Sequence, residues 1–162
     1  MFPDINAGMI LQCNKMKIYI AFLAMALLCF FVPVWETDIK IAKERAKQEQ
    51  KYILLNFSGS DWCGPCIRLR SEIFESDQFK QFADTTLVLL NADFPRQKKN
   101  QLTRERQNQN NALADTYNTS GSFPYTVLLD AGGKVIRFWD GFPKEKPAVF
   151  IDEINRAIHG KQ

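Results

Sequence analysis

Apolar residues follow different rhythms along this chain, and each rhythm predicts an element. Residues 18–34 (IYIAFLAMALLCFFVPV) are apolar without a break. From Glu36 the spacing becomes helical: Ile39, Ala42, Ala46 and Gln50 recur among Lys43, Glu44, Arg45, Lys47 and Glu49, an amphipathic helix with a modest apolar face. Residues 52–57 (YILLNF) and 86–93 (TLVLLNAD) are short, nearly continuous apolar runs, as expected of strands buried on both faces. Between them Ser58-Gly59-Ser60-Asp61 is turn chemistry. Residues 66–69 with Ile73 and Phe74 suggest a helix, and Ser76-Asp77 can cap its continuation through Phe79 and Phe82. Residues 94–120 are polar, with Leu102, Leu113, Ala114 and Tyr117 as the few apolar points, and much of the stretch can be helical. Gly121-Ser122-Phe123-Pro124 breaks the chain before a strand at 125–130 (YTVLLD). Ala131-Gly132-Gly133 then turns it into a hairpin with 134–139 (KVIRFW). A last helix, about 146–159, presents Val149, Phe150, Ile154 and Ile158. The order β-α-β, helical connection, β-β-α predicts an α/β fold. Strands separated by helices are expected to pair in parallel, and the closing hairpin antiparallel.

The unbroken run follows Lys15 and Lys17, the form of a secretory signal. It is also near the lower length limit of a membrane span. Being apolar all round and opening the chain, it does not read as a core helix. Val32-Pro33-Val34-Trp35 is bulky where a cleavage site wants small residues. Cleaved signal, uncleaved anchor and lipidation at Cys29 are the alternatives, and Leu28 stands where lipidation wants Gly or Ala. All of them export the remainder of the chain if the lysines stay in the cytoplasm. Met16 (MKIYIAFLAMALL) reads as a more natural start than Met1, since residues 1–15 fit no standard signal. The expected division is a signal peptide or membrane anchor over 1–35 and a folded domain over 36–162, with an extended polar helical insertion at about 94–120.

Composition narrows the chemistry. The chain has 162 residues, 46% hydrophobic and 24% charged, enough for one domain with a real core. A net charge of +3 without a basic stripe interleaved with aromatics argues against nucleic acid. Of the four cysteines, Cys13 and Cys29 lie in the N-terminal segment, and Cys63 and Cys66 lie together in the folded part. One close pair is not a disulfide-stapled scaffold; it is either redox-active or structural. A zinc site needs two more ligands, whereas the domain has no second cysteine pair and its single histidine, His159, sits near the end of the last helix.

Trp62-Cys63-Gly64-Pro65-Cys66 lies between a strand and a helix, with Phe123-Pro124 just before a later strand and Gly132-Gly133 in the hairpin. Gly141 follows the last strand. Over residues 52–158 these features resemble the thioredoxin superfamily, and in particular extracytoplasmic bacterial disulfide oxidoreductases. The resemblance implies a thioredoxin fold, a central mixed β-sheet flanked by helices, with Pro124 in a cis-proline loop. The physical reasons run in the same direction. A cysteine opening a helix meets unsatisfied N–H groups and the positive end of the dipole, which favour thiolate over thiol, so Cys63 is the expected nucleophile. Cys66, one turn further in and expected to be more buried, can close the disulfide again. Gly64 permits the tight turn, and Pro65 suits the first turn of a helix. Trp62 is expected to wall the site. The Phe123 backbone is expected to pair with an extended substrate.

Two departures bear on mechanism. Where the family carries a buried Asp before the motif this chain has Asn56, and where it carries a neighbouring Lys, Leu89 stands. Asn cannot act as a base, so Cys66 needs water or another group, and Asp61 is expected to be solvent-exposed rather than a substitute. The 94–120 stretch is longer than the family's connection and basic through Arg96, Lys98, Lys99, Arg104 and Arg106, either as a solvated surface or as a docking element for an acidic partner. The resemblance implies an enzyme without cofactor or metal that reduces or rearranges disulfides in exported proteins, fed by a membrane electron-transfer protein, from the periplasm or the outer face of the inner membrane. A haem-delivery reductant is a narrower version of it. A disulfide-forming oxidant and a binding or chaperone module are the alternatives; the intact cysteine pair argues against the last.

Overall fold

A computed structural model of the chain describes residues 34–143 and 146–160. The expectations for a signal, an anchor, lipidation at Cys29 and a start at Met16 fall outside these residues. Asp38 caps α1 (Ile39–Gln48) by accepting the Lys40 N–H at 2.7 Å, and Ala42 and Ala46 on that helix are fully buried. β1 (Tyr52–Ser58) leads through the Cys63 turn into α2 (Gly64–Leu69), which widens into one turn of π-helix, Arg70–Phe74. Ser76 then caps α3 (Asp77–Thr86) as expected, its Oγ accepting the Phe79 N–H at 3.3 Å. β2 (Leu87–Asp93), a 3-10 turn (Lys98–Asn100), α4 (Arg104–Tyr117), β3 (Tyr125–Leu129), β4 (Val135–Asp140) and α5 (Pro147–His159) follow.

The sheet order is β2-β1-β3-β4. β1 and β2 are parallel, while β3 is antiparallel to both β1 and β4. Parallel pairing of helix-separated strands therefore holds only for β1 and β2. The reason is where the chain re-enters the sheet. Ser58 lies opposite Asp93, and Phe57 lies opposite Tyr125, so β2 ends and β3 begins at one end. Residues 94–124 leave that end and return to it, so α4 is not a crossover that resets strand direction.

The strand period of two sorts the core into layers. Ile53, Leu55, Phe57, Val88 and Leu90 face α1 and Leu113 of α4. Leu54, Leu89 and Leu128 face α2, the π turn, α3 and α5, where Phe79 and Phe150 are buried. Burying one such phenylalanine is worth about 1.5–3 kcal/mol, so these two rings anchor their helices to the sheet. The second layer turns polar toward the sheet end: after Leu54 come Asn56 and Ser58, after Leu89 come Asn91 and Asp93, and beyond Leu128 lies Thr126. Before α1, Glu36 bridges to the outer edge of β2, giving its N–H to Leu89 O at 2.7 Å and accepting the Asn91 N–H at 2.9 Å. Trp35 packs on Phe74, with ring centroids 5.1 Å apart.

Candidate active site

The polar end of the sheet lies directly beneath the cysteine turn. Asn56 Nδ2 donates to Asn91 Oδ1 at 3.1 Å, and Thr126 Oγ1 donates to Asn56 Oδ1 at 3.2 Å. Ser58 Oγ donates to Asp93 Oδ1 at 3.0 Å. The same carboxylate takes the Ser60 N–H at 2.9 Å and Ser60 Oγ at 2.6 Å, which fixes the turn after β1 to the end of β2. Asn110 of α4, 1% exposed, donates to Asp93 O at 2.8 Å and fastens the same point from the other layer.

Cys63 is the N-cap of α2, in extended backbone conformation, with Pro65 in the first turn. It is joined to Cys66 in a disulfide whose Cα atoms are 5.2 Å apart. The Cys66 N–H points at Cys63 Sγ at 3.2 Å. Once the pair is reduced, that donor and the start of the helix stabilise negative charge on Cys63. Burial does not separate the two residues: Cys63 is 4% exposed and Cys66 5%, so the expectation that Cys66 lies deeper is corrected. Direction separates them, because Cys66 lines a cavity and Cys63 does not.

That cavity, about 230 Å³, lies between α2 and the polar sheet end, lined by Cys66, Ile67, Arg70, Asn56, Ser58, Ser60 and Asn91, with Trp35, Thr37 and Phe74 completing it. Asn56, Ser58, Ser60, Asn91 and Arg70 supply the polar groups of a lining that is otherwise largely apolar, and the volume has room for water. No carboxylate lines it; the nearest, Asp93, is tied to Ser58 and Ser60 of the lining, so none is placed in the cavity to take the Cys66 proton. Leu89, on the neighbouring strand where the family carries its Lys, pairs with Leu54 in the core, and the cross-strand neighbour of Asn56 is Asn91.

In front of the pair, Trp62 is half-buried and walls the site. Its Nε1 donates to Phe94 O at 2.7 Å, and its ring meets Phe123 edge-on at 5.5 Å. Phe123 in turn meets Phe94 at 5.4 Å. The Phe123–Pro124 peptide is cis, and Pro124 is buried. Gly64 is exposed, with open space where a Cβ would be. Asp61 is half-buried rather than fully solvent-exposed, and its carboxylate is taken up by hydrogen bonds. It accepts the Arg96 N–H at 2.9 Å, the Gln97 N–H at 3.0 Å and Asn100 Nδ2 at 2.9 Å. The Arg96 bond above all, then those from Asn100 and Gln97, holds its carboxyl below the ordinary carboxylate range. This clamp lays the Arg96 guanidinium over the Trp62 ring, 3.6 Å from its centroid. Gly59, Asn91, Asp93 and Arg96 were not among the residues sequence reasoning assigned to the site. Only the length of the turn and the run of basic residues after Phe94 hinted at them.

A reduced pair in this geometry can run a full exchange cycle. Cys63 thiolate attacks one sulfur of a substrate disulfide, that bond breaks, and the other substrate sulfur leaves as thiolate. Cys66 then loses its proton and attacks Cys63 Sγ, releasing the second substrate sulfur and closing the internal disulfide. Two electrons pass to the substrate, whose thiolates take their protons from solvent, and the reverse sequence oxidises it.

An oxidised Cys-X-X-Cys pair opening a helix beside a cis-proline loop, on this sheet, defines a thiol–disulfide oxidoreductase of the thioredoxin fold. The chain belongs to the thioredoxin-like domain family, whose model matches residues 39–157. It is 36% identical over 124 residues to the disulfide bond reductase DsbH of Chlamydia pneumoniae, covering 76% of this chain and 72% of that one. A solved DsbH oxidoreductase matches with a TM-score of 0.70 and 35% identity, over 77% of this chain and 83% of that one. The reduced C-terminal domain of Neisseria meningitidis DsbD shares the fold, with a TM-score of 0.53 and 24% identity over 74% and 93% of the two chains.

Proposed function

We propose that this protein reduces or rearranges disulfides in exported proteins of the cell envelope, with Cys63 as nucleophile and Cys66 as resolving thiol. Trp62, Gly64, Pro65, Phe123 and Pro124 shape the face that receives the substrate, which lies along the Phe123 backbone as an added strand. The observation that carries the reading is the Cys66 N–H on Cys63 Sγ at the start of α2, since it favours the attacking thiolate over the resolving one. Similarity to a protein named a disulfide bond reductase supports the reductive direction. The exchange involves sulfur alone and calls for no cofactor or metal. In an oxidising compartment the pair must be recharged, and a membrane electron-transfer protein is the natural donor. Residues 1–35 export the domain as a cleaved signal or hold it at the outer face of the inner membrane.

The reduction potential tests the direction. Equilibrated against a dithiothreitol or glutathione series, the Cys63–Cys66 couple is expected near the thioredoxin value of about −270 mV. A value of about −120 to −180 mV would mark an oxidant or isomerase and overturn the reductase reading.

A further inference from the structure

The first residues of the 94–120 stretch are built into the site rather than suspended from it. The Asp61 carboxylate, one residue before Trp62, spends its hydrogen bonds on the backbone of Arg96 and Gln97 and on the Asn100 side chain. Fixed in this way, Arg96 stacks on Trp62, whose neighbour in the chain is Cys63. Arg96, Lys98 and Lys99 are all exposed, and none takes part in any ion pair among the described residues. The other cations close to the cysteine turn differ in this respect: Arg68 is paired with Glu72, and Arg70 with Glu75. The acidic groups nearest this segment are Asp61, engaged with backbone donors, and Asp93, engaged with Ser58 and Ser60, while Glu105 lies beyond them at the start of α4. Three cations set against those two engaged carboxylates leave a net positive rim beside Trp62.

We propose that Arg96, Lys98 and Lys99 form a substrate-selecting rim, which favours disulfides flanked by acidic side chains. The rim acts on capture and orientation, so it holds for either direction of electron flow and rests only on the thiol–disulfide cycle. Long-range attraction raises the encounter rate of an oppositely charged partner and is weakened by salt. The guanidinium on Trp62 adds a fixed, planar donor set beside the reacting sulfurs, suited to a carboxylate.

The test uses the reduced full-length protein and two short synthetic peptides, each closed by one disulfide, one flanked by Asp and Glu and the other by Lys. The readout is the ratio of their second-order reduction rates. The wild-type protein is expected to prefer the acidic peptide by roughly tenfold at low salt. That preference fades as the Debye length shrinks from about 10 Å at 0.1 M to about 3 Å at 1 M salt. K98E/K99E, which leaves the Arg96–Trp62 stack in place, is expected to invert or abolish the ratio. R96Q should reduce it, and R96K, which keeps the charge without the planar donor set, should restore it in part. Equal rates for the two peptides in the wild type, or a ratio unmoved by K98E/K99E, would overturn the rim while leaving the redox reading intact. Failure to reduce either peptide would overturn the redox cycle itself, and the rim with it.

Discussion

Gly59 is buried beneath the Trp62 indole, and a Cβ there would lie 2.5 Å from Nε1. The ring has little freedom to yield, being tied to Phe94 O and wedged between Phe123 and Arg96. Gly59→Ala should therefore cost about 1–3 kcal/mol in denaturant unfolding, the usual range for overpacking, and slow disulfide exchange by displacing the wall of the site. Asp61 makes a pH prediction. Its folded-state pKa is depressed, so its clamp on Arg96 is in force above the ordinary carboxylate value and is lost only as pH falls through the lower folded value. The Arg96 and Gln97 amide resonances should then titrate together with a midpoint below about 3.9, and Asp61→Asn should abolish that transition. Trp62, Cys63, Gly64, Pro65 and Cys66 were legible in the sequence because their chemistry is local. Asn91 and Asp93 were not, since their roles come from strand register with Asn56 and Ser58, 35 residues away in each case.

Among the elements, β1 and β2 announced themselves by continuous apolar runs, and the β3–β4 hairpin by its glycines. What the pattern could not give was direction: β3 runs against β1 because residues 94–124 begin and end at one end of the sheet. The same polar stretch held α4 in only part of its length, because Leu113 and Asn110 supply its buried contacts, whereas the Lys98–Asn100 turn before it buries nothing. The polar end of β1 sets the resolving step. With Asn56 in place of a carboxylate, no acidic side chain lines the cavity at Cys66. Asn56→Asp would put a base there, its new oxygen facing Asn91 Oδ1 until the Asn91 amide turns over. With a chromogenic aromatic disulfide, reduced protein should release two thiols in succession, the second reporting Cys66. Asn56→Asp should speed that second release at neutral pH by up to roughly 10²-fold, the scale of one general base, and leave the first unchanged. An unchanged second release would show that water alone already suffices.

At the scale of the whole molecule, the thioredoxin-like layers bring two distant parts of the chain against one short turn. The polar ends of β1 and β2 lie behind it, and the Phe94–Arg96 and Phe123–Pro124 loops lie in front. Barely a twentieth of either cysteine reaches solvent. In an electrical analogy, that makes the couple an insulated contact. Its potential decides which way electrons would flow at equilibrium, but its casing decides whose electrons arrive in time. On the function proposed above, a partner protein that lays a strand along the Phe123 backbone is held against the sulfur, whereas a small thiol finds no such hold and exchanges more slowly. A carrier built in this way can remain out of equilibrium with its surroundings, holding charge for the partners whose shape admits them.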